Sequence, residues 1–227
     1  MAVVISGSVG AGGKNNQADV FKIQNLLNKW TTPPITVDGV CDGKDTDPTV
    51  AAIKSFQSRF SSKPDGRVDA GGGTLRKLNQ DPLVQLPQNA VGNGYYSYSG
   101  ASRQWGTQAT IDAIAEIGRQ FVLDNPTLLM AVGDISFEFG GAMSPHSSHT
   151  AGKHVDLRPL RKDGTRAPVT YTDTVNYDQD KTKLLIESFL AHRNVKSVLF
   201  NDPTINALER VSPWTGHDNH FHVTMLA

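Results

Sequence analysis

The histidines of this 227-residue chain are unevenly placed. His146 and His149 precede Asp156 in one short segment, and His217, His220 and His222 crowd another near the end. Imidazole and carboxylate together form a zinc-type ligand set, in which three protein groups leave a fourth position open. A fold that uses these groups must bring the two segments together. The second segment also dictates its own local structure. From Asn219 to Met225 the residues alternate, with Phe221, Val223 and Met225 on one side and His220, His222 and Thr224 on the other. On a strand, alternate side chains share a face roughly 6.5 to 7 Å apart, while a zinc–nitrogen bond is only about 2 Å. One histidine of the pair therefore binds an ion while its neighbour stands over the open position, ready to handle a proton or steady an oxyanion.

The first segment reads in the same way. In His154-Val155-Asp156-Leu157 the two apolar residues face a core and Asp156 faces the site. His149 lies seven residues earlier, and Gly152 allows the chain to turn back between them. His154 shares a face with Asp156 and is expected beside the site or exposed rather than as a ligand.

Zero formal net charge gives no basic excess for nucleic acid and no acidic arm. No apolar run approaches the length of a membrane span, and the single cysteine, Cys41, permits no intrachain disulfide. The first residues lack a basic region before their short apolar run, so no secretory signal is expected.

Residues 16 to 30 predict an amphipathic helix with Val20, Ile23, Leu27 and Trp30 on one face, ended by Pro33 and Pro34. Asp47-Pro48 starts a second helix, with aspartate as N-cap and proline in the first turn, striped by Val50, Ile53, Phe56 and Phe60. Thr74 is expected to cap a third, short helix through Leu75 and Leu78. Asp38-Gly39 and Asp65-Gly66 mark turns between them. No internal repeat is evident. Through Val20 to Leu27, Val37-Asp38-Gly39 and Thr49 to Gln57, this stretch resembles the peptidoglycan-binding domain of cell-wall hydrolases. The resemblance implies peptidoglycan as partner, with binding on a polar rim near Asp38 and Gln57.

Residues 83–104, with Tyr95, Tyr96 and Tyr98, read as a linker or an extended strand draped on the second domain. A helix from Thr107 through Ile111, Ile114 and Ile117 to Phe121 comes next, then an apolar run, Leu128 to Phe137. A further helix, Lys181 to His192, is expected to bury Leu184, Leu185, Ser188 and Phe189, and Val195 to Phe200 reads as a strand. The fold class expected is two domains: a small all-α three-helix module (1–82), a linker (83–104), and an α+β domain (105–227) with a central antiparallel sheet.

The His-x6-Asp spacing with a distant His-x-His resembles the zinc peptidase superfamily of lysostaphin, D-Ala-D-Ala metallopeptidases and hedgehog domains. Gly133-Asp134-Ile135-Ser136, Gly140-Gly141, His146, His149, Val155-Asp156 and His217 to Val223 bring the likeness closer to the penicillin-insensitive murein endopeptidases. That resemblance implies His149, Asp156 and His222 as zinc ligands and His220 as catalytic base or transition-state stabiliser. It makes His146 and His217 additional site histidines, either lining the pocket or binding a second metal, and either could donate a proton to the leaving amine. It implies a murein endopeptidase that cuts D-Ala–diaminopimelate cross-links. The chain departs from the secreted enterobacterial members in lacking their cysteines, and the family does not usually begin with a wall-binding module.

Alternatives on the same zinc centre are a D,D- or L,D-carboxypeptidase or an L-Ala–D-Glu endopeptidase; a non-catalytic wall-binding module is a third. A monomer acting in the periplasm or cell wall is expected. Without a leader, it would be delivered as a phage endolysin by holin release, or as an antibacterial effector by a secretion system. An effector would have an immunity protein or a secretion-system component as partner.

Overall fold

The computed structural model describes residues 2–88 and 92–226. The chain divides into two compact units, Met1–Pro82 and Leu83–Ala227.

Among the described residues, the first unit consists of β1 (Val9–Gly10), α1 (Gln17–Leu27), α2 (Pro48–Ser58), β2 (Arg67–Val68) and α3 (Gly73–Leu78). Val20, Ile23 and Leu27 of α1 and Val50, Ile53 and Phe56 of α2 are buried together with Val68 and Leu78. The Trp30 and Phe56 rings meet at 5.1 Å between centroids. Asp47 caps α2 by accepting from the backbone N–H groups of Thr49 and Val50, which satisfies donors that the first helical turn leaves open.

Three expectations need correction in this unit. It is not purely helical, because β1 and β2 form a short antiparallel ladder. Thr74 does not cap α3; Gly72 holds that position, and the Thr74 hydroxyl instead accepts from Gln57 Nε2 at 3.2 Å. There is also an internal repeat. Gln24 on α1 accepts from the N–H groups of Asp38 and Gly39 (3.0 and 2.8 Å) and donates to Asp38 Oδ1 and Thr49 Oγ1 (2.8 and 3.1 Å). Gln57 on α2 repeats the pattern, accepting from Gly66 N–H (2.8 Å) and donating to Asp65 Oδ1 (2.7 Å) and Thr74 Oγ1. Each glutamine ties a helix to the following Asp-Gly turn and to a threonine at the start of the next helix. Gln24 and Asp38 are 14 residues apart, whereas Gln57 and Asp65 are 8 apart, so no fixed period reveals the repeat.

The second unit runs β3 (Val84–Gln85), β4 (Tyr95–Ser97), β5 (Trp105–Gly106), α4 (Gln108–Asp124), β6 (Met130–Val132), β7 (His154–Leu157), α5 (Gln179–Ala191), β8 (Val195–Leu199), β9 (Val211–Ser212) and β10 (Phe221–Met225). Its main sheet, among the described residues, has the order β4-β6-β7-β10-β8-β9. The pairs β6–β7, β7–β10 and β10–β8 are antiparallel, as expected at the centre, but β4–β6 and β8–β9 are parallel, so the sheet is mixed.

The stretch expected as a linker is largely part of this unit. Val84 and Gln85 pair with β5, and β4 adds an edge strand to the main sheet because Tyr95 through Ser97 run beside Met130 through Val132. Residues 89–91 of that stretch lie outside the described residues.

Thr107 caps α4 by accepting from Thr110 N–H, and Asp178 caps α5 in the same way from Lys181 N–H. Ile114, Ile117 and Phe121 of α4, with Leu185, Ile186 and Phe189 of α5, share a buried cluster with Val155, Leu157, Val198, Phe221 and Val223 of the sheet. Thr182, Leu185, Ile186 and Phe189 form the inner side of α5, whereas Leu184 is 46 % exposed. The helix starts two residues earlier than the spacing suggests, and its inward stripe keeps Leu185 and Phe189 but takes Thr182 and Ile186 in place of Leu184 and Ser188. With Val155, Leu157, Phe221 and Val223 turned into this core, the other face of β7 and β10 carries His154, Asp156 and His222.

Candidate metal centre

The register of β7 and β10 sets His222 directly opposite Asp156, a position from which cross-strand side chains touch. His222 Nδ1 lies 2.9 Å from Asp156 Oδ1. His149, fully buried in the loop before β7, sends its Nε2 to 3.1 Å from that oxygen and 3.1 Å from His222 Nδ1. Gly152 makes the return possible: its φ is +71°, and its carbonyl accepts from Thr107 N–H at 3.0 Å.

The tautomers make this triangle a candidate cation site. His149 Nδ1 is 3.0 Å from the Ile135 carbonyl, an acceptor only, so Nδ1 carries the proton and Nε2 presents a lone pair. His222 Nε2 shares a hydrogen bond of 2.9 Å with His154 Nδ1. Burial, followed by the neighbouring imidazoles of His222 and His149, pushes His154 down to about 4, so His154 stays neutral at physiological pH. A neutral His222 that donates from Nε2 to His154 presents its own lone pair at Nδ1. Burial opposes the charged form of Asp156, but the paired imidazoles of His149 and His222 outweigh it and hold the carboxyl well below the usual range. Three electron-rich atoms then face one another, an arrangement that a cation stabilises. Tetrahedral zinc with bonds of about 2.0–2.1 Å separates its ligand atoms by about 3.3 Å, so the observed triangle fits after opening by a few tenths of an ångström.

His146, His149 and Asp156 also have ligand atoms within 4.8 Å of one another. His146 is the weaker third partner. Its Nε2 is committed to Asp134 Oδ2 at 2.9 Å, and its Nδ1 stands 3.7 Å from Asp156 Oδ2. Asp134 is itself held by Arg103 (2.6 Å) and by the Ser99 hydroxyl (2.5 Å), a brace that aims His146 at the second oxygen of Asp156.

His220 precedes β10 and approaches the triangle from its open side. Its Nδ1 lies 2.8 Å from Asn219 Oδ1, and its Nε2 is 3.9 Å from Asp156 Oδ1. Burial pushes His220 down to about 4, against the opposing pull of Asp156. The ring is therefore neutral, with an Nε2 lone pair free to take a proton when Asn219 accepts from Nδ1. His217 stacks on His220 at 4.6 Å between centroids, its Nδ1 near the Trp214 and Thr215 carbonyls. Burial lowers its basicity as well.

All six of the histidines other than His192 gather here, and His192 sits apart with Glu116. The expected wall-binding residues fare differently. Asp38 is exposed at a turn, one oxygen bound to Gln24 and Val40 N–H. Gln57 is buried, with its amide spent inside the module, so it is a structural clamp and not part of a rim. Sequence reasoning expected His154 beside the site or exposed without naming the support it gives His222, and missed the brace that Asp134 gives His146. The shared face of His154 and Asp156 was the available signal for the first.

The first unit is thus a small helical module clamped by paired glutamine networks. Residues 16–78 match the family model of the peptidoglycan binding domain. That match supports peptidoglycan as a partner and association with the cell wall. No curated protein was found to match the chain. Among the described residues, no helix is long and apolar enough to cross a membrane.

Proposed function

We propose that the chain is a zinc-dependent peptidoglycan hydrolase, a murein endopeptidase that cuts D-Ala–diaminopimelate cross-links and is tethered to the wall by its first unit. The observation that carries this reading is the triangle of His149 Nε2, Asp156 Oδ1 and His222 Nδ1, with edges of 2.9 to 3.1 Å and the neutral His220 beside it.

Those three atoms would hold the ion. Zinc, when bound, supplies Lewis acidity toward the scissile carbonyl and the attacking water. The remaining work falls to the chain itself. His220 accepts the proton of the attacking water at Nε2, its tautomer held by Asn219. His146, braced by Asp134, and His217, stacked on His220, are the candidates to deliver a proton to the leaving amine. The Ile135 carbonyl and His154 hold the two ligand imidazoles in orientation, a supporting role that metal sites depend on. Wall binding by the first unit raises the local concentration of cleavable bonds around the second.

Full-length protein, loaded with one equivalent of zinc, is to be incubated with cross-linked muropeptide dimers and the products weighed by mass spectrometry. Conversion of dimer to monomers is the expected result. Loss of a terminal residue alone would replace the endopeptidase by a carboxypeptidase. Intact substrate beside stoichiometric zinc would leave only a wall-binding module. The reading also puts the substrate outside the cytoplasm. Expression directed to the periplasm is therefore expected to lyse cells, and cytoplasmic expression to spare them.

A further inference from the structure

We propose that Arg158 and the Tyr98 hydroxyl form a carboxylate-binding subsite beside the metal centre, which selects peptides bearing a free carboxylate next to the scissile amide. The inference rests on the hydrolase reading above for the word scissile, and on the geometry alone for the subsite.

Arg158 follows β7 two residues after Asp156 and so continues the face that carries His154 and Asp156. The same open cavity is lined by Tyr98, His146, Asp156, Arg158, Asn219 and His220. Within it, the carboxylates are already engaged. Asp134 is neutralised by Arg103, and Asp156 is shared between His149 and His222. Arg158 is different. Among the described residues no carboxylate lies within ion-pair distance of its guanidinium, whose contacts include the Arg166 carbonyl at 3.2 Å, the face of the Tyr98 ring at 4.0 Å and the Tyr96 side chain.

A guanidinium held over an aromatic ring is pre-organised and still has donors to offer. Tyr98 is fixed in turn. A Cβ at Gly133 would come within 2.2 Å of the Tyr98 hydroxyl oxygen, so only glycine there admits the ring. The hydroxyl has no hydrogen-bond partner among the described residues, and burial pushes its pKa strongly upward, so it remains a neutral donor. An uncompensated fork of donors and a phenol O–H opening on one cavity match a carboxylate, which takes bidentate hydrogen bonds from arginine. Both a D-Ala–diaminopimelate cross-link and a D-Ala–D-Ala terminus carry a free carboxylate on the carbon bonded to the amide nitrogen, so the subsite fits the proposed substrate class.

The test is calorimetric titration of full-length, zinc-loaded protein with N-acetyl-D-Ala-D-Ala and with its C-terminal amide, for the unmodified chain, Arg158→Met and Arg158→Lys. The acid is expected to bind at least about tenfold more tightly than the amide. Arg158→Met should erase that preference without changing zinc content, and Arg158→Lys should restore part of it. Equal affinity for acid and amide in the unmodified chain, or a preference that survives Arg158→Met, overturns the subsite. Muropeptide dimers with that carboxylate free or amidated provide the kinetic counterpart, with the loss expected mainly in KM. A chain that prefers the acid but cleaves no dimer keeps the subsite and loses the hydrolase.

Discussion

His222 and Asp156 face each other across neighbouring antiparallel strands, Nδ1 to Oδ1 at 2.9 Å, with a histidine from a distant loop closing the triangle. The pairing follows from strand register: a one-residue slip would turn every side chain of β10 over, sending His222 into the core and Phe221 into the site. The apolar alternation that builds the core thus also aims these two side chains at each other.

Replacing the ligands and replacing the proton acceptor should separate cleanly. His149→Ala, Asp156→Ala and His222→Ala are each expected to lose zinc and activity together. His220→Ala should keep one zinc per chain and lose about 10²- to 10⁴-fold in kcat, the range for a positioned acid–base group. Metal analysis and muropeptide cleavage on the same preparations check both halves. A fully active His220→Ala protein would remove that residue from the mechanism.

His154 holds His222 from behind at 2.9 Å. His154→Ala is expected to weaken zinc binding by about 10- to 100-fold while the fold persists, as supporting contacts to metal ligands generally do. Competition with a chromogenic chelator measures this, and unchanged affinity would reduce His154 to a bystander.

Gly152 sets the return of the chain between His149 and Asp156. A Cβ there would meet the backbone of Gly106 and Thr107 at 2.9 Å, at a φ of +71°. Gly152→Ala should cost about 1–3 kcal/mol in stability and lower zinc affinity by displacing His149. Thermal unfolding with and without added zinc reads both effects.

Much of this was legible in the sequence. Alternation along Phe221 to Met225 and around Asp156 located both central strands and the faces that carry the candidate site, because period-two patterning has a single geometric meaning. Asp47-Pro48 announced its helix through cap chemistry, and the spacing of Ile111, Ile114 and Ile117 announced α4. Less visible were features set by contacts distant in sequence. Tyr95 through Ser97 carry too little periodicity to declare an edge strand, and they become one only by lying along Met130 through Val132. Gln57 looked like a surface polar group because nothing local shows that Asp65, Gly66 and Thr74 converge on its amide.

That clamp can be tested by itself. Gln57→Leu leaves the Gly66 N–H and Asp65 without their buried partner, at a cost of about 1–3 kcal/mol. Hydrogen exchange should accelerate at the Gly66 amide while the Gly39 amide, held by Gln24, keeps its protection. Equal acceleration at both would show that the two networks are one cooperative unit.

Asp19 supplies a pH signature. Burial opposes its charge, but hydrogen bonds from the Ser6 hydroxyl, Ser6 N–H and Gly7 N–H prevail and hold the carboxyl at about 2, below the ordinary 3.8. A depressed folded-state value stabilises the fold above the ordinary value, and that stability is lost as pH falls from 3.8 toward 2. The stability difference between the unmodified chain and Asp19→Asn should therefore be largest above pH 4 and shrink across that window, as urea unfolding at a series of pH values would record.

The central claim concerns one ion and three side chains, and X-ray absorption at the zinc edge of the loaded, full-length protein addresses it most directly. The account predicts one zinc per chain in a nitrogen and oxygen shell at about 2.0–2.1 Å, with outer scattering from two imidazoles, those of His149 and His222. A third imidazole, a sulfur from Cys41, or zinc bound below one equivalent would contradict it.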